Sequence, residues 1–133
     1  MSLIDTAKHY IHAVQTGDQA ALGRLIAPDV VWHQPGSNRF SGPRRGVSEV
    51  VEMIGGMMAA SGGSFRIERA NRYMANGSWV TIEIEFAAER EGMTMAQAGI
   101  DLLRIEHGQI VEARLFSSDQ LQEDRFWGEK TAV

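Results

Sequence analysis

Leu3, Ala7, Tyr10, Ile11 and Val14 recur at the spacing of one helix face, and Thr16-Gly17 closes the run as a helix end does. Asp18 can cap a second, shorter helix with Leu22, Leu25 and Ile26 on one side, ended by Ala27-Pro28 before a strand from Val30 to Gln34. A polar loop follows. Val47, Val50, Val51, Ile54, Met57 and Met58 then mark a third helix, weakened at Gly55-Gly56 and stopped by Ser61-Gly62-Gly63. From Ser64 the period changes from helical to alternating. Four segments, "SFRIERANRYM", "WVTIEIEF", "MTMAQAGIDLLRI" and "IVEARLF", are separated by the turn signals "ANGS", "EREG" and "EHGQ", which predicts four consecutive antiparallel strands.

In "WVTIEIEF", Val80, Ile82, Ile84 and Phe86 share one face, while Thr81, Glu83 and Glu85 share the other. Such a sheet meets a core on one side only. Helices segregated from a meander argue an α+β fold, with the helices on the concave side of a curved sheet and a pocket between them. The closing "SSDQLQEDRFWGEK" reads as a short amphipathic turn or helix in which Leu121, Phe126 and Trp127 pack back, rather than as a lid over a ligand.

Composition narrows the function. The 133 residues fit one domain, with no linker or internal repeat. A formal net charge of -4 leaves no basic stripe for phosphates, so nucleic acid is not an expected partner. The local cluster Arg39, Arg44, Arg45 reads as a solvated loop, with an anionic ligand as its alternative. The chain has no cysteine, which excludes disulfides and thiolate chemistry and suits a cytoplasmic location. No apolar run approaches the roughly 18 residues that span a bilayer, and the first ten residues do not read as a secretion signal, so no membrane association is expected.

Phosphate-cradling glycine loops, dinucleotide fingerprints and nucleophile elbows are missing from the sequence. His9 and His12 stand three apart on the first helix, but without an accompanying carboxylate motif they read as exposed helix residues and no metal site is expected. The methionines, Met57 among them, supply adaptable apolar surface that suits a pocket and an ordinary core equally.

The stretches "YIHAVQTGDQAALGRLIAPDVVW", "PGSNRFSGPRRGVSEVVEMI" and "GIDLLRIEHGQIVEARLF", in that order, resemble the SnoaL-like polyketide cyclase type of the nuclear transport factor 2-like superfamily, which also contains ketosteroid isomerase and limonene epoxide hydrolase. The resemblance implies a cone-shaped, curved antiparallel or mixed sheet wrapped around three N-terminal helices, often dimeric through the outer sheet face. Trp79, Thr81 and Glu83 on that face mix an aromatic with polar residues as an interface can, so a homodimer is expected.

Ketosteroid isomerase uses a tyrosine on its first helix and a protonated aspartic acid on a late strand to hydrogen-bond an enolate oxygen, and an aspartate before a proline to move the proton. By resemblance the phenol falls at Tyr10 and the acid at Asp101. The pre-proline position is Gln34, which has no useful pKa. His33 beside it is the candidate base, provided that a twist or bulge before Pro35 turns it inward against the alternation that pairs Trp32 with Gln34.

Asp101 shares a strand face with Gly99, Leu103 and Ile105, where lost hydration would raise its pKa. That effect has ketosteroid isomerase as its known example. The structural alternative is a pairing of Asp101 with Arg104 or Arg114, and for Tyr10 it is simple core packing. The expected function is a cofactor-independent proton-transfer enzyme, of isomerase, cyclase or lyase type, acting on a small hydrophobic carbonyl compound. Tyr10, His33 and Asp101 would be catalytic, and Trp32, Gln34, Met57 and Phe86 would bind substrate. An epoxide hydrolase would need a second carboxyl, which no matching strand position supplies. The competing reading is a non-catalytic binding or dimerisation module.

Overall fold

A computed structural model of the chain describes residues 1–129. Helix α1 (Leu3–Thr16) begins with a reciprocal capping box, in which the Ser2 hydroxyl accepts from the Asp5 N–H and the Asp5 carboxylate accepts from the Ser2 N–H. It ends at Gly17, whose φ of 67° supplies the left-handed cap that a β-carbon would strain. Asp18 caps α2 (Gln19–Leu25) through the Ala21 N–H. The second helix is shorter than the apolar pattern suggested, because Ile26 is extended and opens strand β1 (Ile26–Gln34). Pro28 therefore lies inside a strand. It is tolerated because pairing with the neighbouring strand is irregular between Ile26 and Val31, so the missing N–H falls in a bulged stretch.

The expected polar loop contains a four-residue strand, β2 (Gly42–Arg45), paired antiparallel with Val31–Gln34. Helix α3 (Val47–Ala60) follows. Its Gly56 is a contact position rather than a weak point: a β-carbon there would stand 3.0 Å from the Phe40 ring. The four strands of the meander are β3 (Arg66–Asn76), β4 (Trp79–Arg90), β5 (Met93–Glu106) and β6 (Gln109–Ser117). Their tight turns place Glu91 and His107 at positive φ, each followed by a glycine.

The sheet runs β2-β1-β6-β5-β4-β3, with β1 parallel to β6 and every other neighbour antiparallel. The mixed sheet arises because β1, separated from the meander by α3, returns beside the last strand. Alternation puts Val80, Ile82, Ile84 and Phe86 of β4 in the core and leaves Thr81 and Glu83 on the outer face. Ala7, Tyr10 and Ile11 of α1, and Val50, Met53 and Met57 of α3, pack on the same core.

Helix α4 (Gln120–Trp127) is capped by Asp119 through the Gln122 N–H. Phe126 and Trp127 are buried, and Phe40 and Phe65 meet Trp127 edge-on. Leu121 does not pack back; it is 60% exposed, since one helical turn cannot point 121, 126 and 127 to the same side. Lys130, the end of the quoted closing stretch, lies outside the described residues.

Candidate active site

A cavity of about 60 Å³ opens between α1, α3, α4 and the inner face of the sheet. That exceeds the roughly 10–15 Å³ needed for one water. Tyr10, Trp32, Gln34, Met57, Phe86 and Asp101 all line it, so six of the seven side chains singled out from the sequence converge. Most of the wall is apolar. The polar exceptions are Tyr10, Gln34, Asp101, Ser117 and Glu123.

Each is placed by its element. Tyr10 sits mid-helix on the core face of α1, with its ring centroid 6.0 Å from that of Trp32. Trp32 and Gln34 point inward together because register from Val31 to Gln34 is unbroken against β2, and the Trp32 indole N–H donates to the Gln34 side-chain oxygen at 3.2 Å. Asp101 stands opposite Ile82 on β4 and Leu115 on β6, on the buried face with Gly99, Leu103 and Ile105. Gly99 creates room beside it: a β-carbon would come within 2.6 Å of the Phe116 carbonyl and 3.0 Å of the Phe86 ring.

His33 does not reach the cavity. The irregularity in β1 lies upstream of Val31 rather than before Pro35, so strict alternation turns the imidazole to the outer face, where Nε2 is 3.0 Å from the Glu112 carboxylate. The expectation of His33 as a pocket base is therefore overturned. Arg104 and Arg114 also converge on Glu112, at 3.7 and 3.6 Å, which leaves neither to neutralise Asp101. Arg44 braces its own loop by donating to the Phe40 carbonyl. His9 and His12 are exposed, and no cluster of potential metal ligands occurs among the described residues.

Asp101 is 2% exposed and Tyr10 3% exposed, and neither side chain has a hydrogen-bond partner among the described residues. Burial, followed by the charge of Glu123, raises the Asp101 carboxyl to about 7. Burial and then the charge of Asp101 push the Tyr10 phenol well above its usual range, so it remains a hydrogen-bond donor.

Glu123 was missed by the sequence reading. It is 3% exposed and enters the cavity from α4, where Ser117 Oγ and Gln120 Nε2 donate to one carboxylate oxygen at 2.7 and 3.0 Å and Trp127 Nε1 to the other at 3.3 Å. Burial raises its pKa, and those three donors pull it back. The available signal was its position: Glu123 lies three and four residues before Phe126 and Trp127, hence on their buried face. The adjacent Asp124 ties α4 to the loop after β1, accepting from Asn38 Nδ2 at 2.8 Å and from the Ser37 N–H at 3.1 Å.

A family model described as a SnoaL-like domain matches residues 7–113. A crystal structure from Xanthomonas campestris, described as a protein of unknown function with a cystatin-like fold, is 59% identical, with a TM-score of 0.94 over 97% of this chain and 100% of that one. An uncharacterised protein of Mycobacterium tuberculosis is 27% identical over 93% of this chain and 95% of its own length. The fold, at 21% identity, is also that of IdmH from Streptomyces antibioticus, described as a candidate polyketide cyclase, with a TM-score of 0.76 over 92% of this chain and 99% of that one.

Proposed function

The chain belongs to the SnoaL-like domain family, and we propose that it is a cofactor-independent proton-transfer enzyme, of isomerase, cyclase or lyase type, acting on a small apolar carbonyl compound. The observation that carries this reading is the pairing, in one mostly apolar cavity, of a buried phenol and a buried carboxyl that have no hydrogen-bond partner among the described residues. Their unused hydrogen-bonding capacity is what a ligand oxygen and an acidic carbon would satisfy.

With His33 turned outward, Asp101 takes the role of proton carrier. In its ionised form it removes a proton from the carbon beside the carbonyl, while the Tyr10 hydroxyl donates to the oxygen on which negative charge develops. Asp101, now protonated, returns the proton to another carbon of the same skeleton, so an isomerisation closes without a co-reactant. A carboxyl titrating at about 7 serves both steps at neutral pH. Trp32, Met57 and Phe86 exclude water, and Gln34, anchored by Trp32, orients the ligand.

The test is exchange of α-protons in deuterated buffer, followed by proton NMR over a panel of small apolar ketones. Exchange accelerated by the wild type and lost in Asp101→Asn supports the reading; a wild type no faster than buffer on the whole panel removes it. A second reading, a non-catalytic pocket, is favoured by Gln34 at the pre-proline position and by the outward His33. Saturable ligand shifts without exchange would select it. We also infer a homodimer through the outer sheet face, where Phe116 is 52% exposed, and sedimentation velocity distinguishes it from a monomer.

A further inference from the structure

The cavity is one-sided in charge. Among the described residues its lining contains two carboxyl groups, Asp101 and Glu123, and no lysine, arginine or histidine. The nearest cationic groups on β5 and β6, Arg104 and Arg114, are drawn to Glu112 on the opposite face of the sheet. None of the described residues that line the space can therefore neutralise an anion brought into it.

Glu123 differs from Asp101 in how it is held. Ser117, Gln120 and Trp127 together supply one donor to one oxygen and two to the other, which fixes the carboxylate at the wall and favours its ionised form. Asp119 caps the helix that carries it, and Asp124 pins the same helix to Ser37 and Asn38. A charge on a clamped side chain, in a space walled by apolar groups, acts at close range with little water to screen it.

We propose that Glu123 is a specificity-determining residue whose fixed negative charge restricts the cavity to uncharged carbonyl compounds and turns away carboxylates of the same skeleton. The inference rests on the functional reading above and narrows its substrate class. Glu123 takes no proton from the substrate. It acts by repulsion, as an element that disfavours the wrong ligand rather than attracting the right one.

The other groups that face the cavity leave the assignment with Glu123. Tyr10 on α1 is raised by burial first and by Asp101 second, and stays neutral. Met53 and Met57 on α3, and Ile84 and Phe86 on β4, carry no charge. Asp101 is the remaining acid, and it is neutral over the lower half of the accessible pH range.

The probes are butan-2-one and 2-oxobutanoate, small enough for the cavity and differing by a carboxylate in place of a methyl group, and binding is read from the NMR signals of Trp32 and the Met57 methyl group. At pH 6 the wild type should bind the ketone at least tenfold more tightly than the keto acid. Glu123→Gln, whose carbonyl oxygen can still accept from Ser117 and Gln120 while its NH2 cannot accept from Trp127, should narrow that ratio at least fivefold. A second arm needs no variant: burial raises the Glu123 carboxyl above its ordinary range, so acid neutralises it while the keto acid is still ionised, and the wild-type ratio should narrow as pH falls from 6 to 4. Equal binding of the two probes by the wild type at pH 6, or a ratio unmoved by both Glu123→Gln and acid, overturns the proposal. If neither probe binds, the carbonyl reading falls and carries this one with it; if the keto acid binds better, only the charge filter falls.

Discussion

Replacing Asp101 by Asn nearly preserves the shape of the side chain and removes its titration. In the folded chain burial and the charge of Glu123 raise the carboxyl from its ordinary 3.8 to about 7, a gap of about 3 pH units. At 1.36 kcal/mol per unit, full ionisation lowers the stability of the fold by roughly 4 kcal/mol. The folded state binds the proton more tightly than the unfolded state, so the favourable contribution is complete below about pH 4 and is lost as pH rises through about 7. Roughly 2 kcal/mol of the loss falls between pH 5 and 7. Asp124, lowered by donors from Asn38, Gln120 and Ser37 against its partial burial, and Asp5, lowered by the Ser2 N–H and hydroxyl, act in the opposite sense in acid. Both are common to the two proteins and cancel in their difference. Urea unfolding at 25 °C across pH 4–9 should therefore show Asp101→Asn gaining on the wild type as pH rises, with the curves converging in acid up to a constant offset. Parallel curves over the whole range would refute the reasoning, because they would mean that the carboxyl titrates alike in both states.

Ketone α-proton exchange should increase with pH through a midpoint near 7, since the proposed mechanism uses the ionised form of Asp101; a rate flat from pH 5 to 9 contradicts that role. Tyr10→Phe should cost about 10²-fold or more in exchange rate while leaving thermal stability nearly unchanged, because the ring stays packed on Trp32 and the lost hydroxyl has no partner among the described residues. His33→Gln should leave exchange at the wild-type rate, and a large loss would show that the imidazole reaches the substrate after all. Gly99→Ala should destabilise by about 1–3 kcal/mol in urea titrations, since the added carbon meets a backbone carbonyl that cannot rotate away.

Periodicity carried most of the architecture because the signals were local. The apolar stripe from Leu3 to Val14, the Gly-containing turns after Asn76, Arg90 and Glu106, and the alternation in β4 each depend on neighbours in sequence. The inward set of Trp32 and Gln34, and of Asp101 with Gly99 and Leu103, follows from the same period of two. What failed depended on partners distant in sequence. Whether a bulge reverses His33 is decided by how β1 pairs with β6, some 80 residues away, and β2 exists only because β1 offers it an edge. Glu123 was hidden in a polar run, "QLQEDRFW", whose mean hydropathy gives no hint that one of its two acids turns inward.

Burial of Asp101 is difficult to account for as packing alone. A carboxyl of this kind, without a cation or a donor, weakens the fold at neutral pH, whereas Asn or Leu at the same position would meet the demands of an interior strand at less cost. The surrounding residues are arranged to keep the group isolated rather than to relieve it. Arg104 and Arg114, one on its own strand and one on the next, are directed to the far face by Glu112, and Glu123 adds a second charge of the same sign from α4. Local rules are commonly broken at functional sites and compensated elsewhere, and here the compensation is visible in the capped helices and the apolar face of β4. A fold that needed only a full interior would not hold two acids against one cavity; a fold that must hold a proton ready at neutral pH has reason to.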